Sequence, residues 1–214
     1  MLSIVKTPNF VSTLLRGYIW HFSRQKKELY LTFDDGPIAI ITPWVLDKLK
    51  EFNAKATFFC VGENVKTHPV IFKRIIDEGH SIGNHTFNHL NGLKTASNKY
   101  LENCEKTYNL FLKTNENAFT DNNLIFRPPY GKIRPKQTKA LKEKGYKIVL
   151  WDVLSRDFDT KISKETCFNN VIQNTKNGSI VVFHDSEKSF EKLSYTLPRI
   201  LTYFTEIGYT FKAI

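Results

Sequence analysis

Apolar residues along this chain fall into short, nearly unbroken runs separated by longer stretches where they recur at helical spacing. The runs are Leu29 to Phe33, Ala56 to Val61, the neighbourhood of Ile82, Leu124 to Phe126, Lys147 to Trp151, Ile180 to Phe183 and Tyr209 to Ala213, about seven strand candidates. Between them lie six amphipathic stretches: Thr42 to Phe52, Pro69 to Glu78, Ala96 to Leu112, Pro135 to Lys144, Ser163 to Thr175 and Phe190 to Glu206. Strands that alternate with helices in this way predict an α/β fold built on parallel strands with crossover helices. Ile148-Val149-Leu150-Trp151 and Ile180-Val181-Val182-Phe183 are apolar at consecutive positions, as expected of strands covered on both faces. A barrel and a doubly wound sheet both satisfy this pattern. Asn115 to Asn123 reads as a polar loop, and no internal repeat or linker interrupts the chain.

Composition narrows the picture. A chain of 214 residues, 41% hydrophobic, is long enough for one well-filled core, and 14% aromatic residues argue against disorder. The formal charge of +10 favours polyanions, acidic glycans or anionic membranes as neighbours. The basic residues are scattered and no aromatic platform is interleaved with them, so nucleic acid is not expected as a partner. Cys60, Cys104 and Cys167 form no CxxC pair, which points away from a disulfide framework and a thiolate zinc site and toward a reduced compartment. No signal peptide or transmembrane span is legible, so the expected location is cytoplasmic or peripheral to a membrane. Phe10 to Phe22 reads as a helix packed against the domain, with peripheral contact to an anionic membrane as the alternative. A monomer is expected.

The chemistry lies at the strand ends. Asp34-Asp35 follows Thr32-Phe33, His85 and His89 follow Ile82, Arg127 follows Phe126, Asp157 lies just past Trp151, and His184 follows Phe183. In a parallel barrel those ends gather on one face, where loops converge on a pocket above a rigid core. Two adjacent carboxylates repel each other unless a cation compensates, and a divalent metal resolves the conflict. His85-Thr86-Phe87-Asn88-His89 spaces two imidazoles by four residues, which on a helical turn places both on one face. Two histidines and a carboxylate suit a hydrolytic metal site with positions open for water and substrate. His80 and His68 read as structural or exposed.

Thr32-Phe33-Asp34-Asp35-Gly36-Pro37, His85-Thr86-Phe87-Asn88-His89, Arg127-Pro128-Pro129-Tyr130, Asp157-Phe158 and His184 stand in the order of five motifs, TFDDGP, H[ST]xxH and RxPY leading. On these residues the chain resembles the NodB-homology polysaccharide deacetylases, carbohydrate esterase family 4. The resemblance implies a distorted (β/α) barrel of seven or eight units that removes acetyl groups from N-acetylhexosamines and releases acetate. It assigns Asp35, His85 and His89 as metal ligands, Asp34 as the base acting on the attacking water, and His184 as the acid that protonates the departing amine. It also makes the Tyr130 N–H an oxyanion donor, pairs Arg127 with Asp34, and sets Asp157 to orient His184. Zinc is the default metal, with cobalt, nickel or manganese compatible with the same donors. Residues 1–26 are then an extension packed on a catalytic domain over 27–214.

Two departures from the family pattern are visible, Phe158 where Trp is usual and Val182 where Leu is usual; both keep an apolar wall. The rival activities are hydrolysis of O-acetyl esters on an acetylated polysaccharide and silent glycan binding. Peptidoglycan, chitin-like oligomers, exopolysaccharide and lipid-linked sugars all carry the acetamido group, so the substrate stays open.

Overall fold

A computed structural model describes residues 5–116, 118, 119 and 123–214; most of the interior of the Asn115 to Asn123 loop, and residues 1–4 of the extension, lie outside the described residues. Eight strands make one parallel sheet: β1 (Glu28–Asp34), β2 (Thr57–Cys60), β3 (Ser81–Asn84), β4 (Ile125–Phe126), β5 (Lys147–Ile148), β6 (Val153–Leu154), β7 (Ile180–His184) and β8 (Thr210–Phe211). The order is β5-β4-β3-β2-β1-β7-β6, with β8 paired to the start of β1 through Glu28↔Thr210 and Leu29↔Phe211. The sheet is curled into a half-barrel with flanking helices, the distorted barrel that the family resemblance implied. The helices are α1 (Asn9–Leu14), α2 (Ile41–Glu51), α3 (Gly62–Thr67), α4 (Pro69–Asp77), α5 (Ser97–Thr114), α6 (Pro135–Glu143), α7 (Lys164–Asn174) and α8 (Phe190–Glu206). Proline opens α4 and α6, where its missing N–H costs nothing, and Ser163 caps α7 by accepting the Thr166 N–H at 3.1 Å.

Strand β1 shows how sequence becomes layer. Alternate side chains point to opposite faces, so Leu29, Leu31 and Phe33 enter the outer core with Val45, Leu46 and Leu49 of α2 and Leu193, Leu197 and Ile200 of α8. Tyr30 points inward, where it meets Phe59, Ile125, Val149 and Ile180. Thr32 and Asp34 face the same way, nearer the C-terminal end, and turn that end polar. Each fully buried Leu or Phe contributes about 1.5–3 kcal/mol relative to exposure, so both layers favour this one register.

Phe10 to Phe22 departs from the expected helix. Only Asn9–Leu14 is helical; Ile19 bridges Val149, His21 bridges Ser179, and Lys6 bridges Val153. Ile19 and Phe22 pack on the inner cluster beside Tyr30, the Phe22 and Tyr30 rings stacked at 4.1 Å. Backbone pairing outweighs helical spacing here because β5 and β6, the two ends of the sheet, otherwise leave ladder groups unsatisfied. Two elements lack a sequence signal: β6, two residues long, and α3, six. No helix among the described residues is long and apolar enough to cross a membrane.

Candidate active site

The polar strand ends converge on a cavity of about 640 Å³ lined by Asp34, Asp35, His85, His89, Tyr130 and His184, with apolar walls from Leu150, Trp151, Leu154, Phe158 and Val182. Asp35, His85 and His89 each offer one donor atom, all within 4.8 Å of one another. Asp35 Oδ1 lies 3.2 Å from His89 Nε2 and 3.8 Å from His85 Nε2, and no hydrogen bond satisfies this buried oxygen. Three donors about 2.1 Å from a tetrahedral ion would stand about 3.4 Å apart, so the set fits a divalent metal. The His85 Nδ1 to Arg127 carbonyl hydrogen bond, at 2.7 Å, assigns the proton to Nδ1 and leaves Nε2 as the free donor. Burial pushes His85 down to about 4, which keeps it neutral and able to ligate. Burial alone would raise Asp35, yet the neighbouring His89, His184 and His85 hold it well below the usual carboxylate range.

The two histidines meet by a different route from the helical turn expected. His85 to His89 is a bend with Thr86 and His89 at positive φ, and the rings lie 5.1 Å apart. Side chains take the backbone groups a helix would have used: Asn84 Oδ1 accepts the Thr86 N–H, Asn103 Oδ1 accepts those of Phe87 and Asn88, and Thr86 Oγ1 accepts that of Leu90. Asp35, Tyr130 and Arg156 also adopt positive φ without being glycine. Asp35, His89 and Tyr130 line the cavity itself, so part of the strained backbone lies at this site, where the surrounding structure must over-determine it.

Asp34 lies under the cavity with its Oδ1 accepting from Arg127 Nη1 at 2.7 Å. Arg127 is fully buried over the face of Phe59, 4.0 Å from the ring centre. His184 Nδ1 pairs with Asp157 Oδ1 at 2.8 Å, and Asp157 Oδ2 accepts the His184 backbone N–H at 2.7 Å. Burial opposes charge on His184, but the Asp157 carboxylate outweighs it, helped by Asp35 and Asp34, and pushes the imidazole up to about 9. Phe158 meets the same imidazole edge-on at 5.0 Å. The Tyr130 ring lies 4.6 Å from that of His89.

The profile of the family described as polysaccharide deacetylase matches residues 22–149. The chain belongs to the polysaccharide deacetylase family. This family member is 36% identical over 200 residues to a peptidoglycan-N-acetylglucosamine deacetylase of Bacillus cereus, with 92% of each chain covered. It is 32% identical to the peptidoglycan-N-acetylmuramic acid deacetylase PdaA of Bacillus subtilis, covering 89% of this chain and 71% of that protein. A crystal structure of a peptidoglycan N-acetylglucosamine deacetylase superposes with a TM-score of 0.82 at 36% identity, covering 97% of this chain and 95% of the other.

Some residues beside this deacetylase-family cavity were given no task by the sequence. Asp185 is buried and its carboxylate accepts the Gly36 N–H at 3.0 Å and the Thr42 hydroxyl at 2.5 Å, while Thr42 Oγ1 accepts the Ile38 N–H. That relay clamps the turn after Asp35. A Cβ on Gly36 would stand 2.0 Å from Asp185 Oδ2, so only glycine fits against the clamp. Burial pushes Asp185 up to about 8. Asp185 follows His184 at a strand end, a position that marked it without giving it a task. His80 is structural, its Nδ1 accepting the Ala56 N–H at 3.2 Å.

Proposed function

We propose that this chain hydrolyses the acetamido group of N-acetylhexosamine residues in a glycan or glycoconjugate, releasing acetate and leaving a free amine, with a divalent metal held by Asp35, His85 and His89. The observation that carries this reading is the pairing of opposites in one cavity, with Asp34 held by Arg127 on one side and His184 raised by Asp157 on the other. An amide nitrogen leaves badly unless protonated, so its hydrolysis needs an acid as well as an activated water, each contributing about 10² to 10⁴ in rate. His184, protonated at neutral pH, has its Nδ1 turned to Asp157 and its Nε2–H free to protonate the amine. Asp34 takes the proton from the attacking water, and Arg127 fixes which of its oxygens stays available.

When bound, the metal polarises the acetyl carbonyl and lowers the pKa of water. Zinc suits the donor set, and cobalt, nickel and manganese are alternatives. The Tyr130 N–H, to which no acceptor is matched among the described residues, is oriented by positive φ as the oxyanion donor. Residues 27–214 are the catalytic domain in this reading, beginning one residue before β1, and 1–26 are its extension. The named activities of the relatives support an N-acetylated cell-wall or chitin-like glycan as substrate. The test is acetate release from chito-oligosaccharides and from acetylxylan, with each metal restored after chelation. Release from the former supports the proposal; a metal-loaded, folded protein that frees no acetate from any N-acetylated glycan overturns it.

A further inference from the structure

The two histidines of the Asp35, His85 and His89 set are held by different means. His85 directly follows β3, is buried, and its ring is tied to the Arg127 carbonyl at 2.7 Å. No hydrogen bond orients the His89 ring among the described residues; it is 30% exposed and stands 3.2 Å from Asp35 Oδ1. The place of His89 therefore follows from the backbone that carries it. That backbone has φ 53°, a conformation that a residue with a side chain rarely adopts unaided.

Two helices supply the aid. The carbonyls of Thr86 and Phe87 accept the N–H groups of Gly62 and Glu63 in the first turn of α3, both at 3.0 Å. A Cβ on Gly62 would stand 2.6 Å from the Phe87 ring, so α3 lies directly on the bend. From the other side a single side chain of α5 takes two N–H groups: Asn103 Oδ1 accepts those of Phe87 at 2.7 Å and Asn88 at 3.0 Å. Asn103 Nδ2 donates to Asn88 Oδ1 at 3.0 Å, which fixes the end of the amide that faces the bend, and Asn88 Nδ2 reaches Glu63 Oε2 at 3.3 Å. The chain of bonds thus closes from α5 back to α3. Asparagine is a poor helix former, so α5 itself gains nothing from an amide at this position.

Resting on the metal-dependent reading, we infer that Asn103, which does not line the cavity, is the positioning residue for His89: its two accepted N–H groups hold the bend at the φ that carries the imidazole to Asp35 and His85. His85 has its own anchors. Loss of Asn103 accordingly loosens one donor of three and leaves the other two in place.

The test titrates zinc against a chromophoric chelator and needs no substrate. Asn103→Leu, similar in size and without an acceptor, binds zinc about 10- to 100-fold more weakly than the parent. Asn103→Asp keeps Oδ1 and restores most of the affinity, and Glu102→Gln, an exposed change one residue away, leaves it unmoved. In a His89→Ala background, Asn103→Leu costs no further affinity, because the donor it positions is gone. A further loss of the same size there would assign Asn103 to the fold at large and overturn the inference. Equal affinity in the parent and Asn103→Leu would overturn it too, as would an Asn103→Asp no better than Asn103→Leu. If Asn103→Leu does not fold in chelator, Asn103→Ala adds no apolar group and must still weaken zinc. A parent that binds no zinc fells the metal reading itself, a result distinct from a parent that binds it and variants that bind it equally.

Discussion

Arg127 reaches Asp34 Oδ1 at 2.7 Å while also donating to Thr32 Oγ1 at 2.7 Å and to the Leu150 carbonyl at 3.1 Å, with no part of it exposed to solvent. With Nε also donating to the Val149 carbonyl at 3.4 Å, the planar fork serves four acceptors from three separate nitrogens, a reach that the single nitrogen of a lysine lacks. Removing one partner of a buried pair strands the other and costs about 3–5 kcal/mol. Arg127→Met is expected to fall in that range by urea denaturation, Arg127→Lys, which keeps the charge but not the reach, to lose less stability, and both to lose most acetate release. An Arg127→Lys protein as stable and active as the parent would refute the geometric argument.

The Asp157 carboxylate is what offsets burial at His184 and pushes it up to about 9. Asp157→Asn removes that charge while keeping a hydrogen-bond acceptor, so the imidazole falls toward or below its ordinary value of about 6.5. If His184 works protonated, the alkaline limb of the kcat/KM profile moves to lower pH by at least about one unit. Activity at acid pH should survive far better than activity at pH 8. A limb that stays in place would assign it to another group.

The make-up of this cavity was legible in the sequence wherever a reactive side chain directly follows an apolar run, because a parallel strand delivers its next residue to the barrel mouth. Asp34, Asp35, Arg127 and His184 were readable for that reason. The layered core was readable from the same alternation that sends Leu31 outward and Thr32 inward. What was not legible depends on contacts distant in sequence. The bend that joins His85 to His89 is set by Asn84 and Asn103. The Asp185 clamp exists only once β7 lies beside β1. Phe10 to Phe22 shows helical spacing in isolation and keeps it only through Leu14, because the backbone beside β5 and β7 supplies stronger partners to Ile19 and His21.

Two raised groups give stability the same dependence on pH. His184, raised to about 9 from about 6.5, contributes stability that is complete below pH 6.5 and lost as pH rises through 9. Asp185, raised to about 8 from about 3.9, contributes stability that is complete below pH 4 and lost as pH rises through 8. The unfolding free energy measured in chelator should therefore decline from pH 6.5 to pH 9. Asp185→Asn cannot ionise, so its decline over that window should be shallower. An unchanged slope in this variant would show that Asp185 is ionised in the folded protein.

The division of labour between adjacent carboxylates can be read by separating metal content from turnover. Asp34→Asn keeps an oxygen for Arg127 Nη1 and leaves Asp35, His85 and His89 untouched, so the variant should bind zinc in the parent's stoichiometry while acetate release falls by about 10² or more. His85→Ala removes a buried neutral donor and the partner of the Arg127 carbonyl, so metal content itself should fall along with activity. Metal analysis after dialysis, set beside acetate assays, distinguishes the two. Zinc lost from Asp34→Asn and kept by His85→Ala would reverse the assignment of ligand and base, since a ligand's removal must act on the ion before it acts on the chemistry.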